Sequence, residues 1–288
     1  SYTTSLFKDG LNRMAQKGGE EALELVIEAT NGTNERLIYE GSDMLYHLIV
    51  LLTSKGMRIE DMAAELMERH KDIDIYQDEH LVLKGVNLHV DEGEMVYLTG
   101  QVGSGKSSLL KSIYGEIPVE GESAKVLGFN MNLLKTRQQP ALRRQMGIVF
   151  QDFQLLRDRT VHRNLDFVLR STGWKQKTDR EKRIEEVLEM VKLSNKKDKF
   201  IYELSGGEQQ RICIARSILN EPKVIVADEP TGNLDAENGE LILALLDEIR
   251  RQKHTAIILS THNMQWPEYF PGTVYRCVDG KLIKEAGQ

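Results

Sequence analysis

The run Gly100-Gln101-Val102-Gly103-Ser104-Gly105-Lys106-Ser107 leaves this chain few folds to choose from. It reads G-x-x-x-x-G-K-S, follows the apolar stretch Met95–Thr99 and opens a helical stretch, Ser107–Tyr114. Glycines at these places let the backbone curl until successive N–H groups converge, and the helix behind them adds the partial positive charge of its N-terminus. Such a turn cradles phosphate oxygens. Lys106 is expected to reach the β and γ phosphates, and the Ser107 hydroxyl to ligate Mg²⁺. A glycine-rich turn can match this spacing by chance, so the surroundings decide.

The surroundings agree. Beyond about residue 72, short apolar runs alternate with helical ones. Met95–Thr99, Met146–Phe150, Lys223–Asp228 and Thr255–Ser260 are apolar along most of their length, as central strands of a mostly parallel sheet must be when both faces are covered. Glu237–Arg251 has helical patterning. Residues from about 152 to 220 are polar and helical, and read as an inserted helical subdomain. The run Val224–Asp228 ends in an acidic pair. Asp228 is placed to hold Mg²⁺, directly or through water, and Glu229 to take a proton from an attacking water. A surface acidic pair is the alternative, and it sits poorly behind so apolar a strand.

Before residue 72 the texture is purely helical. Leu6, Leu11, Met14, Leu23 and Ile27 fit one helix or a bent pair. Leu37, Met44, Leu45, Leu48, Leu51 and Leu52 fit a second, with Asn34 as its expected N-cap. Ile59, Met62, Ala63 and Leu66 fit a third. The expected organisation is an all-α unit over 1–71 and an α/β unit over 72–288, in keeping with 288 residues and a prior of roughly 150 per domain. Lys plus Arg number 38 against 44 Asp plus Glu, a net charge of −6, which argues against a non-specific nucleic-acid binder. No run approaches the roughly 18 apolar residues of a membrane span, so any membrane role would come through a partner. Cys213 and Cys277 lack disulfide or metal spacing and read as reduced thiols of a cytosolic protein. Ser1-Tyr2-Thr3-Thr4 offers neither a basic nor an apolar leader, and no secretory signal is expected.

Leu204-Ser205-Gly206-Gly207-Glu208-Gln209 resembles the signature motif of the ABC-type ATPases, and the family's other parts follow in order over about residues 73 to 285. That resemblance implies an α/β P-loop NTPase fold, with a RecA-like core sheet and a helical subdomain. It also implies that ATP lies against Gly100, Gly103, Ser104, Gly105, Lys106, Ser107 and Ser108. Tyr76 would stack on adenine, although a strand carries such an aromatic for ordinary reasons too. Gln151 would touch Mg²⁺ and water and link the site to a membrane partner. Asp235 would lie in the D-loop. His262 would contact the γ-phosphate and orient water. Ser205, Gly206 and Gly207 start a helix, hence a second anion site, which in the family closes on the ATP of a second copy in a head-to-tail homodimer.

A narrower resemblance rests on Gly147-Ile148-Val149-Phe150-Gln151-Asp152, Leu155-Leu156-Arg157-Asp158-Arg159-Thr160-Val161, Leu142-Arg143-Arg144-Gln145 and Ala227 through Asp235. These look like the FtsE family of cell-division ATPases. The resemblance implies an FtsX-like integral membrane partner and a peripheral place at the inner face of the cell membrane. Lipoprotein-release and macrolide-export ATPases share the last stretch and remain the alternative.

In the amino-terminal part, Glu20 and Glu24 are four apart, and Glu40 and Asp43 three apart, so each pair shares a helix face. Like charges so close are costly unless a cation joins them, and carboxylates suit Mg²⁺. Glu20, Glu21, Glu24, Glu40 and Asp43 are the candidate ligands; a solvated acidic face is the plainer reading. Residues 1 to about 70 resemble the phosphoribosyl-ATP pyrophosphatase family (HisE) of histidine biosynthesis, all-α Mg²⁺ enzymes that release pyrophosphate. That family usually carries a further helix ahead of the position of Ser1, so the helical pack is expected to be incomplete. Arg69-His70 ends the one resemblance and Ile73-Asp74-Ile75-Tyr76 begins the other. So short a junction fits a natural fusion, a gene-boundary error or an engineered chimera. Three functions compete: a dimerising ATPase driving a membrane complex, a soluble bifunctional pyrophosphohydrolase with an appended ATPase, and a nucleotide-binding scaffold.

Overall fold

The computed structural model describes residues 2–62, 73–121 and 123–285, with Asn31 by its backbone alone. Two compact units emerge, residues 1–69 and 70–288.

The first unit is helical. Helices α1 (Tyr2–Asp9) and α2 (Leu11–Asn31) are parted by Gly10, whose φ of 84° a side-chain-bearing residue adopts poorly, so the bent pair is the form taken. Helix α3 (Asn34–Ser54) is capped by Thr33, whose side chain accepts from the Arg36 N–H, and not by Asn34 as expected. Both residue types cap helices; the one whose oxygen reaches the third helical amide takes the role. Leu6, Met14 and Val50 are buried, whereas Leu23, Ile27 and Leu45, expected on the packed stripe, are exposed. Residues 59–62 are helical; Ala63 and Leu66 of the third expected helix, and Arg69-His70, lie outside the described residues.

The second unit is built on a six-stranded sheet. The strands described in this unit, in that sheet and in two smaller ones, are β1 (Ile73–Gln77), β2 (His80–Val86), β3 (Met95–Thr99), β4 (Val119–Gly121), β5 (Lys125–Val126), β6 (Phe129–Asn130), β7 (Met146–Val149), β8 (Val224–Ala227), β9 (Ala256–Ser260), β10 (Thr273–Val278) and β11 (Lys281–Lys284). The main sheet runs β11-β10-β3-β9-β8-β7, parallel except for the terminal β10–β11 hairpin; β2-β1-β4 form a smaller antiparallel sheet. Strand alternation splits the core in two. Tyr97, Ile225, Ala227, Ile257 and Leu259 face one cluster, with Leu165, Leu188, Ile212 and Leu246 of the helices. Val96, Leu98, Val226 and Ile258 face the other, with Leu109, Leu142 and Leu83. Coverage on both faces is why these strands read as unbroken apolar runs. Helices α4 (Lys106–Ile113), α5 (Gln139–Arg143), α6 (Val161–Ser171), α7 (Lys177–Met190), α8 (Gly206–Ser217), α9 (Ala236–Lys253) and α10 (Trp266–Tyr269) complete the unit. No described helix is long and apolar enough to cross a membrane.

Candidate active site

Parallel strands deliver their carboxyl ends to one edge, and the site grows there. Strand β3 runs into the phosphate loop, β8 into Asp228-Glu229, β9 into His262 and β7 into Gln151. The loop is curled by Gly100 (φ 136°), Gly103 (φ 81°) and Gly105 (φ 100°). A Cβ on Gly100 would lie 2.5 Å from the Cys277 carbonyl oxygen, and one on Gly105 would press on Val82 and Leu83 at 3.0 Å. A Cβ on Gly103 would meet nothing within 4 Å, so this turn presents its backbone to open space. Among the described residues, the N–H groups of Gly103, Gly105, Lys106 and Ser107 have no acceptor, and the buried Ser104 hydroxyl has no partner. A row of unpartnered donors along a curled loop at a helix N-terminus fits a polyphosphate. Lys106 is 5 % exposed, and its Nζ donates to the Gly100 and Gln101 carbonyls at 2.8 and 2.9 Å, which holds the ammonium at the floor of the loop. Ser107 is exposed at the helix tip, while the Ser108 hydroxyl bonds Gln77 Oε1 at 2.8 Å. Ser108 thus ties the loop to the strand that carries the half-buried Tyr76.

The acidic pair is tightly held. The Ser260 hydroxyl lies 2.6 Å from Asp228 Oδ1 and accepts from the Glu229 N–H at 2.8 Å. Glu229 has a left-handed backbone, φ 45°, an outlier of the kind that gathers at functional sites. Its carboxylate is nearly buried, and Oε1 lies 2.9 Å from Nδ1 of the half-exposed His262. Gln151 is exposed; its carbonyl accepts from the Asn233 side chain at 3.2 Å, and a cleft of about 380 Å³ beside it is lined by Gln151, Asp228, Asn233 and Tyr114. The free oxygens of Asp228, Ser107 and Gln151 are the hard donors that magnesium prefers.

The signature residues form a second group. Ser205 caps α8: its hydroxyl accepts from the Glu208 N–H, and Glu208 accepts from the Ser205 N–H, a reciprocal box. That backbone bond, aided by Lys196 at 3.0 Å, holds the Glu208 carboxyl below its usual range. Gly207 is required by packing, since a Cβ there would sit 2.7 Å from Asn238 Oδ1. Asn238 also donates its N–H and side chain to Asp235, the cap of α9, and this holds Asp235 below its usual range. Ser205, Gly207 and Asp235 are therefore one fixture organised by Asn238, which sequence reasoning missed. No hydrogen bond or ion pair among the described residues joins Ser205 to the phosphate loop. Burial pushes the Cys213 thiol up to about 12 and the Cys277 thiol up to about 11, as for unreactive thiols.

The ABC transporter family pattern matches residues 83–232. The chain is 40% identical over 220 residues to the cell division ATP-binding protein FtsE of Streptococcus pneumoniae, covering 76% of this chain and 95% of that protein. With the FtsE of Mycobacterium tuberculosis it shares 42% over 205 residues, 70% of this chain and 87% of the relative. With that of Escherichia coli it shares 45% over 185 residues, 63% and 81%. The chain belongs to the ABC transporter family. It is an ATP hydrolase of that family, with the mixed sheet and helices of an ABC cassette. Among solved structures, the dimeric bacterial ABC transporter cassette MJ0796 matches at TM-score 0.66 and 31% identity, covering 76% of this chain and 98% of the cassette. Its post-hydrolysis dimer bound to ADP and Pi matches at TM-score 0.64 and 30% identity, with the same coverage.

In the amino-terminal unit, oxygens of Glu21, Glu24 and Glu40 lie within 4.8 Å of one another. Glu20 is not in this trio, being paired with Lys17 at 2.7 Å and Gln16 at 2.9 Å, and Asp43 stands outside it as well. Burial, then the charge of Glu24, raises the Glu40 carboxyl above its ordinary value. His47, missed in the sequence, is buried with Nδ1 unpartnered and Nε2 3.8 Å from Glu21. The phosphoribosyl-ATP pyrophosphohydrolase family pattern matches residues 1–70.

Proposed function

We propose that this ATPase works as an FtsE-like cell-division subunit, peripheral at the inner face of the membrane through an FtsX-like integral partner, as a homodimer that sandwiches ATP. The observation that carries the hydrolytic part of this reading is the row of strand ends bringing the phosphate loop, Asp228-Glu229 and His262 to one sheet edge, and the likeness to FtsE proteins supports the cell-division part. The curled loop amides and Lys106 bind the β and γ phosphates. Magnesium, on Ser107, Asp228 and Gln151, would neutralise charge across them. Glu229 accepts the proton of the water that attacks the γ-phosphorus, the bond to the β-phosphate oxygen breaks, and ADP leaves. His262, 2.9 Å from Glu229, holds that carboxylate and the water in line. Ser205 and Gly206 of a second copy supply the amides that close on the γ-phosphate. Among the described residues no hydrogen bond joins Ser205 to the phosphate loop, and the MJ0796 cassette is dimeric, which supports a composite site. Glu229→Gln tests this: it should bind ATP, trap a dimer and lose about 10²–10⁴-fold in turnover. Turnover at the parental rate would remove Glu229 as the base.

A second reading concerns residues 1–70. Three close carboxylates beside a buried histidine favour a Mg²⁺ site that releases pyrophosphate from phosphoribosyl-ATP. Mg²⁺-dependent pyrophosphate release, lost in Glu21→Gln, tests it; no product from the full chain would remove it.

A further inference from the structure

Ser260 ends β9 with no exposed surface, and the register that pairs Ala227 with Leu259 brings it level with Asp228, the residue just past the end of β8. Its hydroxyl has one proton to give. The oxygen already accepts the Glu229 N–H at 2.8 Å, and it lies 2.6 Å from Asp228 Oδ1. An ionised carboxylate only accepts, so the serine proton must point at Oδ1; the short distance is that of a charge-assisted bond. Two consequences follow from one atom. Oδ1 has one of its two lone-pair sites taken by the serine proton, which makes Oδ2 the oxygen of Asp228 with its full capacity for a cation. The Glu229 backbone is pinned in its left-handed turn, with the Gly232 N–H on its carbonyl at 3.0 Å and His262 on its carboxylate.

We propose that Ser260 is a positioning residue for ATP hydrolysis, selecting the Asp228 oxygen that faces magnesium and fixing the backbone from which Glu229 projects. This rests on the assignment of magnesium to Asp228. The bland alternative is a buried strand hydroxyl that merely satisfies its neighbours, which would affect folding and leave metal affinity alone.

The test uses the full chain with Ser260→Ala, Ser260→Thr and Asp228→Asn. ATP binding is measured in EDTA, then the Mg²⁺ concentration giving half-maximal thermal stabilisation in the presence of ATP, then kcat. Ser260→Ala should bind Mg²⁺-free ATP as the parent does, raise the Mg²⁺ half-saturation by about 10–100-fold, the range for residues that orient a metal ligand, and lower kcat comparably. Ser260→Thr, which keeps the hydroxyl, should recover both. Parental Mg²⁺ half-saturation in Ser260→Ala, or an equal loss of Mg²⁺-free ATP binding, overturns the proposal. If Asp228→Asn also leaves the half-saturation unchanged, the magnesium assignment falls with it; if Asp228→Asn raises it and Ser260→Ala does not, only the role of Ser260 falls.

Discussion

His262 Nδ1 stands 2.9 Å from Glu229 Oε1, joining the ends of two neighbouring parallel strands through their side chains. Glu229 sits on a left-handed backbone, and the imidazole is the side chain that holds its carboxylate. His262→Ala should therefore slow hydrolysis by about 10–100-fold, with ATP affinity nearly unchanged. Steady-state kinetics beside equilibrium ATP binding check it; an equal loss in both would mean that His262 chiefly binds.

Gly100→Ala should damage the fold and the site together. The new Cβ would meet the Cys277 carbonyl, a backbone atom that cannot swing away, at a φ of 136°. A melting point lowered by a ΔΔG of about 1–3 kcal/mol, with ATP binding lost, is the expected outcome of such strain. Calorimetry and nucleotide titration measure the two losses.

The loop after Gln151 is pinned from α8. Arg216 donates to the Gln154 carbonyl at 2.6 Å and the Phe153 carbonyl at 2.8 Å, and both of those residues have positive φ. Arg216→Lys has one ammonium where the fork reached two carbonyls. Hydrogen exchange over residues 151–156 should speed up while that of β3 stays put; unchanged exchange would show that the fork is dispensable.

Much of this site was legible because its parts are contiguous. The phosphate loop needs three glycines in one turn, and the capping box needs Ser205 and Glu208 three apart, so both are written locally. Ser260, Asn238 and Arg216 were illegible because each acts across the sheet or between helices: Ser260 on residues 31 and 32 positions away, Asn238 on Gly207 of another helix, and Arg216 on a carbonyl 63 positions away. In the amino-terminal unit, helical spacing pointed to Leu23, Ile27 and Leu45 as packed, and they are exposed; periodicity reports a face and is silent on what covers it. The same spacing put Glu20 with Glu24, but Lys17 lies one turn back and takes it.

Glu40 makes the amino-terminal unit pH-sensitive. Burial raises its carboxyl, Glu24, Asp43 and Glu21 raise it further, and Arg36 opposes them. A group raised in the folded state stabilises fully below its unfolded value and loses that contribution as pH climbs through the folded value. Protection of residues 34–54 from hydrogen exchange, corrected for intrinsic rates, should therefore fall from about pH 4 toward neutrality. Glu40→Gln should flatten the profile, and Mg²⁺ should restore protection at neutral pH. A flat parental profile would contradict the buried-carboxylate account.

Complementation tests the composite site most directly. Lys106→Ala removes the cation of the phosphate loop, and Ser205→Arg blocks the signature helix tip; each homodimer should be inactive. Mixed and re-equilibrated, the two variants form heterodimers in which one site carries both defects and the other carries neither. The account predicts that ATPase activity returns on mixing. A mixture as inactive as its separate components would contradict a site shared between two copies.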